Sequence, residues 1–377
     1  MRHTVSMRAR ALLGAAALPV ALAAALLGAP ARAGDDNFLN VYNWSDYIGD
    51  TTVADFEKET GIKVRYDTFD ANETLYAKLV AGHTGYDVVV PSSHWAKLQL
   101  EGGLLKPVDK SRISTYSNID PWILQQLAKV DPGNRFLVPW LWGFTTVGIN
   151  VAKVKAALGN VPMPQDAWDL VFKPEYASRL KSCGVSFLDS ADEVFPAALR
   201  YVGKLPYSGT AADYQEAARM MNQIRPYVTL FSSSGYINEL ASGAVCVALG
   251  WNGDIAIAAA RAREARNGQN IQVLFPKSGA VLYFDTMAIP VDAPHVDNAY
   301  KWFSYIYRPQ VQAGIVNKVF AASAVPAASK YMRPDVLASR ALLARGEDLD
   351  KLVPPDAVSN EIRRLRTRLY TTFKTGL

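Results

Sequence analysis

From Phe38 onward the apolar residues of the chain alternate between two spacings. "FLNVYNW" reads as a strand, with Leu39, Val41 and Tyr42 leading into Trp44. "TVADFEKETG" puts Val53 and Phe56 on one helical face and offers Gly61 as the residue that ends the helix in a left-handed turn. The strand "IKVRYDTF", the helix "NETLYAKLVAG" and the apolar run "YDVVVPSS" follow. Unbroken Val88–Val90 predicts a strand buried on both faces. The order βαβαβ implies a parallel sheet with right-handed crossovers. Ligands of such sheets sit beyond the C-terminal strand ends, where Trp44–Tyr47 and Pro91–Trp95 fall. These two loops are expected to meet in space.

The texture then changes. "FLVPWLWGFTTVGINVAKV" is a long extended segment rich in aromatics, long enough to run from one lobe to another. Residues 160–260 return to helices mixed with short strands such as "CGVSFLD" and "AVCVALGW". "VLYFDTMAIPVD" is again strand-like, Trp302–Tyr307 belongs to an amphipathic helix, and "NEIRRLRTRLYTTFKTGL" is a basic helix whose charges read as a solvated face.

Composition alters this picture at the N-terminus. Arg2, Arg8 and Arg10 precede the uncharged run "ALLGAAALPVALAAALLGAP", and "ARA" at Ala31–Ala33 supplies small residues for a signal peptidase. Residues 1–33 are therefore expected to be a signal peptide cleaved after Ala33, which makes the mature chain an exported one. Without the four arginines of that segment, 36 basic side chains face 35 acidic ones, so the basic balance of the whole chain belongs largely to the leader. No nucleic-acid footprint is left. The 344 remaining residues suit two lobes better than one core. Cys183 and Cys246 are the only cysteines. In an exported chain they suggest a disulfide, with two free buried thiols as the other reading.

Catalytic and cofactor signatures are missing: no G-x-S-x-G, H-E-x-x-H, C-x-x-C, phosphate-cradling glycine loop or G-x-G-x-x-G occurs. Beyond the leader only His83, His94 and His295 remain, too scattered for a histidine metal site or a triad. One theme recurs at strand ends, an aromatic beside an acid: Trp44 with Asp46, Phe187 with Asp189 and Glu193, Trp251 with Asp254, Tyr283 with Asp285. Aromatic faces attract cations and pack on methylene chains, and a carboxylate binds an ammonium through charge-assisted hydrogen bonds. Such pairs on opposing walls suit a slender molecule, cationic at its ends and apolar between: a diamine or polyamine.

Structural readings compete with each of these. Asp46 could cap the helix after it, and "SADE" is a capping box with Ser190 at its start and Glu193 three residues on. Gly250 and Gly253 around Trp251 suggest a tight turn with an exposed ring. Trp302 reads as core, one of Trp140 and Trp142 as buried, and His94 as a residue that merely starts a helix. The other functions open are a sugar or ferric-ion receptor and a hydrolase built on a carboxylate pair.

"VYNWSDYI", "FEKETGIKVRYD", "YDVVVPSS", "KSCGVSFLDSADEVF", "CVALGWNGD" and "FDTMAIP" together resemble the bacterial periplasmic polyamine-binding proteins of ABC uptake systems, and among them the putrescine receptors. The resemblance runs in order from about residue 38 to the C-terminus. It implies the type II periplasmic binding fold, two α/β lobes joined by crossing hinge strands around a ligand cleft. The limits expected are 34–143 with 275–318 for one lobe and 144–274 with 319–377 for the other. The ligand residues implied are Trp44, Ser45, Asp46, Ser92, Glu193, Trp251, Asp254, Tyr283 and Asp285, with Cys183 bonded to Cys246. The same likeness implies a non-enzymatic monomer without metal or cofactor, which hands putrescine, or in second place spermidine, to an inner-membrane ABC permease. Two departures bear on the choice of amine. His94 stands where those receptors carry a small hydroxyl residue, and Ala321 where they carry a tyrosine.

Overall fold

The computed structural model describes residues 37–338 and 347–376; the expected leader and its cleavage point lie outside them. The N-terminal unit forms as the periodicity predicts. β1 (Phe38–Trp44), β2 (Lys63–Phe69) and β3 (Val88–Val89) make a parallel sheet in the order β2-β1-β3. Helices α1 (Thr52–Thr60), α2 (Asn72–Ala81) and α3 (Ser93–Glu101) alternate with these strands. Gly61 ends α1 at φ 71°, and its N–H reaches back to the Glu57 carbonyl. Phe56 turns inward from α1 onto Trp302 and Tyr305, their ring centroids 5.0 and 5.3 Å away. Trp302 is core, as its spacing predicts.

The second sheet is built on the long extended segment. β4 (Val138–Asn150) pairs antiparallel with β7 (Val247–Trp251), β8 (Ile271–Leu274), β9 (Val281–Met287) and β10 (Ala322–Ser323). Beyond β7 lie β5 (Val185–Phe187) and β6 (Leu230–Phe231), both parallel. The far end of β9 reaches the first sheet through bridges from Ser92 to Asp285 and from Val89 to Ala288. The molecule is thus the type II arrangement, two α/β lobes with strands crossing between them. Trp140 is fully buried and Trp142 only half so, and a register shift against β9 separates them. Cys183 and Cys246 form a disulfide across the starts of β5 and β7.

Two sequence expectations need correction. The basic C-terminal helix, Asn360–Thr375, is not simply a solvated face: Arg366 is 3% exposed and pairs with Asp192, and Lys374 pairs with Asp189. Its hydrophobic stripe packs it onto the lobe, and that brings Arg366 to a buried acid and Lys374 to an exposed one. The pairing of Phe187 with Asp189 also dissolves. Phe187 is in the core and Asp189 turns to Lys374, because β5 ends at Phe187 and Asp189 lies past it, outside the strand.

Candidate functional site

All nine residues singled out above line one cavity, about 610 Å³ of empty space measured out to its open mouth. The loops after β1 and β3 meet because Trp44 closes β1 and its indole Nε1 donates to the Val90 carbonyl at 2.9 Å. The Trp44 ring lies 4.6 Å from Phe69 on its own wall and 6.3 Å from Trp251 on the other. Ser45 is fixed by its N–H on the Phe69 carbonyl, and Asp46 follows in the left-handed region at φ 55°. Asp46 caps nothing. Helix α1 starts at Thr52, and the Asp46 carboxylate instead pairs at 3.2 Å with Arg261, which lies outside the lining in the helix Asn252–Glu264.

Ser92 is buried between two neighbours. Asn72 accepts from its N–H and donates to its Oγ, both at 3.1 Å, and that Oγ donates to Asp285 at 2.7 Å. Burial pushes Asp285 up to about 7, with the Ser92 hydrogen bond working against the shift. Asp254 is also pushed up to about 7 by burial, although part of its surface still faces the cavity; Asp46 and Asp285 add to the shift. Glu193 belongs to no capping box. Ser190 precedes the helix Ala191–Tyr201 without a side-chain cap, and Glu193 accepts from the Thr145 hydroxyl at 2.6 Å. Burial raises its pKa against the pull of Thr145 and Trp251.

Trp251 ends β7 half-buried rather than exposed on a turn. Its N–H donates to the Tyr236 hydroxyl at 3.0 Å, and that hydroxyl donates to Asp254 at 3.1 Å. Tyr283 is buried beside Asn252, with burial and the acids around it holding its phenol well above the ordinary value. The lining carries five carboxylates, from Asp46, Asp70, Glu193, Asp254 and Asp285, and no lysine, arginine or histidine among its described residues. No group of three or more His, Cys, Asp or Glu among the described residues is placed to hold a metal ion. Neither His94 nor Ala321 is in the lining, so the two departures lie outside the cavity wall.

Several residues of the lining escaped the sequence reading. Phe69 ends β2 with Asp70 after it, and Ser233 and Ser234 follow β6, so the strand-end rule applied to those strands finds them. Tyr47 is buried with its hydroxyl at Asp285's electrostatic reach, and was visible in the loop after β1. Tyr236, which holds Asp254, carries no sequence signal. Its ring depends on Gly250, where an added Cβ would lie 2.6 Å from it. Gly250→Ala should therefore destabilise the fold by about 1–3 kcal/mol and loosen Asp254 as well. Thermal unfolding and ligand titration on that variant would reveal both, and native values for the two would remove this role from Gly250.

Residues 51–344 match the model of a family described as bacterial extracellular solute-binding protein. The chain belongs to that family. This solute-binding protein is 47% identical over 345 residues to a putrescine-binding periplasmic protein of Escherichia coli (strain K12), covering 91% of this chain and 93% of the relative. It is 42% identical over 367 residues to a putrescine-binding periplasmic protein of Pseudomonas aeruginosa (strain UCBPP-PA14), covering 96% and 98%. Among solved structures, the spermidine/putrescine ABC transporter substrate-binding protein of Streptococcus pneumoniae superposes with a TM-score of 0.74 at 25% identity, over 90% of this chain and 99% of that one.

Proposed function

We propose that this solute-binding protein captures a polyamine in the periplasm, putrescine first and spermidine second, and delivers it to an ABC-type permease of the inner membrane. The observation that carries the reading is the sign of the cavity: five acids among aromatic walls, with no basic side chain in the described lining. Asp46 is met by Arg261, but an uncharged sugar leaves Glu193, Asp254 and Asp285 without a counter-charge in a largely buried site. A diamine satisfies them. Trp44, Trp251 and Tyr283 face its methylenes, Asp254, Asp285 and Glu193 take the ammonium groups, and Ser45, Asp46 and Ser92 complete the polar ends. The crossing of β4 and β9 between the sheets supports lobe limits at 34–143 with 275–318 and 144–274 with 319–377. A leader at 1–33, cleaved after Ala33, supplies export, and the receptor works as a monomer without cofactor.

The test is a thermal-shift and calorimetric screen of the mature chain against putrescine, spermidine, sugars and ferric ion. A ligand at 100 times its Kd raises apparent stability by about 2.7 kcal/mol. Putrescine and spermidine should do so while sugars and ferric ion do not. A shift confined to a sugar or to ferric ion would replace this reading.

A further inference from the structure

On one flank of the cleft a second cluster joins elements of the two sheets. Helix α3 carries His94 and Trp95, the helix Ala191–Tyr201 carries Asp192 in its first turn, and the C-terminal helix carries Arg363 and Arg366. Trp95 Nε1 donates to Asp192 Oδ2 at 2.6 Å, while Arg366 takes the other oxygen. Arg363 stands 5.6 Å above the Trp95 ring, and Tyr76 of α2 packs against that ring at 5.7 Å. His94 enters the same cluster, its Nε2 3.8 Å from Asp192 Oδ2. Both of its ring nitrogens are buried without a hydrogen-bond partner among the described residues. A cavity of about 230 Å³ adjoins it, lined also by Asp356.

We propose that His94, Trp95, Asp192 and Arg366 form a proton-sensitive latch between the lobes, engaged while His94 is neutral and released when its imidazole takes a proton. The inference rests on the protein being an amine receptor whose cleft closes on its ligand. Asp192 is the neighbour of Glu193, so one helical turn carries both the latch and a wall of the ligand cavity.

The charges of the cluster leave no place for an imidazolium. From the helix Ala191–Tyr201 the ring faces Asp192, already engaged by Arg366 and Trp95. The C-terminal helix presents Arg363 and Arg366, and the segment before it Asp356. Further out, Glu73 of α2 and the buried phenols of Tyr207 and Tyr214 interact with Asp192 and Arg366, and Glu101 of α3 with Arg363. The carboxylates nearest the ring are matched by the two guanidinium groups, and a third cation there is desolvated and uncompensated. Burial accordingly holds His94 down at about 4, with Arg366 and Arg363 adding to the shift and Asp192 opposing it. Because Asp192, Arg363 and Arg366 come from the other lobe, opening exposes the ring to water and returns it toward an ordinary pKa of about 6.5. The closed state therefore has the lower pKa: its advantage is complete above about pH 6.5 and is lost progressively as pH falls toward the closed-state value.

Putrescine titrations of the mature chain at pH 7.5 and 5.5, on wild type, His94→Asn and Trp95→Phe, test the latch. Wild type should lose about tenfold more affinity between the two values than His94→Asn does. At pH 6, wild type should release about three-quarters of a proton more than His94→Asn on binding, read from heats in two buffers. Trp95→Phe should bind more weakly at both pH values while keeping the wild-type pH dependence. All three share the cavity acids, so any proton taken by Asp254 or Asp285 cancels from the comparison. Equal pH losses and equal proton release in wild type and His94→Asn would overturn the latch alone. Absence of amine binding at pH 7.5 would overturn the receptor reading and the latch with it.

Discussion

Asp254→Asn should weaken putrescine binding about 30-fold or more. Removing one partner of a buried charge pair typically costs about 2–5 kcal/mol, because the other charge is left uncompensated. Asp254 meets the condition: burial pushes it up to about 7, and Tyr236 fixes one of its oxygens. Asparagine keeps the shape and can still accept from Tyr236, so the wall should stay in place. The unliganded chain should not lose stability. A carboxyl whose folded-state pKa lies above its unfolded one contributes nothing favourable as an ion at neutral pH, and the amide carries no such charge. Asp285→Asn should behave alike, since its environment raises it to the same range. Calorimetry with putrescine and spermidine on both variants decides the matter. Native affinity of Asp254→Asn for every amine would make that acid a structural residue and withdraw it from the site.

The second large effect concerns stability alone. Replacing Cys183 and Cys246 with serine should lower the unfolding free energy by about 4 kcal/mol, the chain-entropy value for a loop of this size. The bond spans 63 residues and ties the starts of β5 and β7. The cavity lies at the other end of those strands, where Trp251 closes β7 and Glu193 follows β5. Putrescine affinity below the melting range should therefore be unchanged in the double variant. Denaturant curves for both forms measure the loss, and coincident curves would show that the bond adds nothing to equilibrium stability.

What the sequence made legible is what local rules govern. The first sheet follows from apolar spacing and from a glycine that ends α1, because those signals act within a few residues. The pairs at Trp44 and Trp251 were visible because both rings close a strand with a parallel neighbour, whereas Tyr283 and Asp285 lie inside antiparallel β9 and reach the cavity as alternate residues of one face. What stayed hidden depends on distant partners. Glu193 sits in a sequence that spells a cap, yet Thr145, 48 positions away, takes its carboxylate. Arg366 lies in a run of charges that looks solvated until Asp192, 174 positions away, meets it in the interior. Tyr236 supports Asp254 across 18 residues and has no local mark at all.

Asp46 shows how narrowly one position can be drawn. Its backbone occupies the left-handed region, which among side-chain-bearing residues admits asparagine and aspartate far more readily than others. Its carboxylate meanwhile reaches Arg261 across the cleft. Glutamate keeps the charge but meets the steric filter, asparagine passes the filter without the charge, and glycine gives up the side chain. Each one-step path away from aspartate thus sacrifices either the turn or the ion pair. Backbone conformation and charge favour aspartate here on two separate counts.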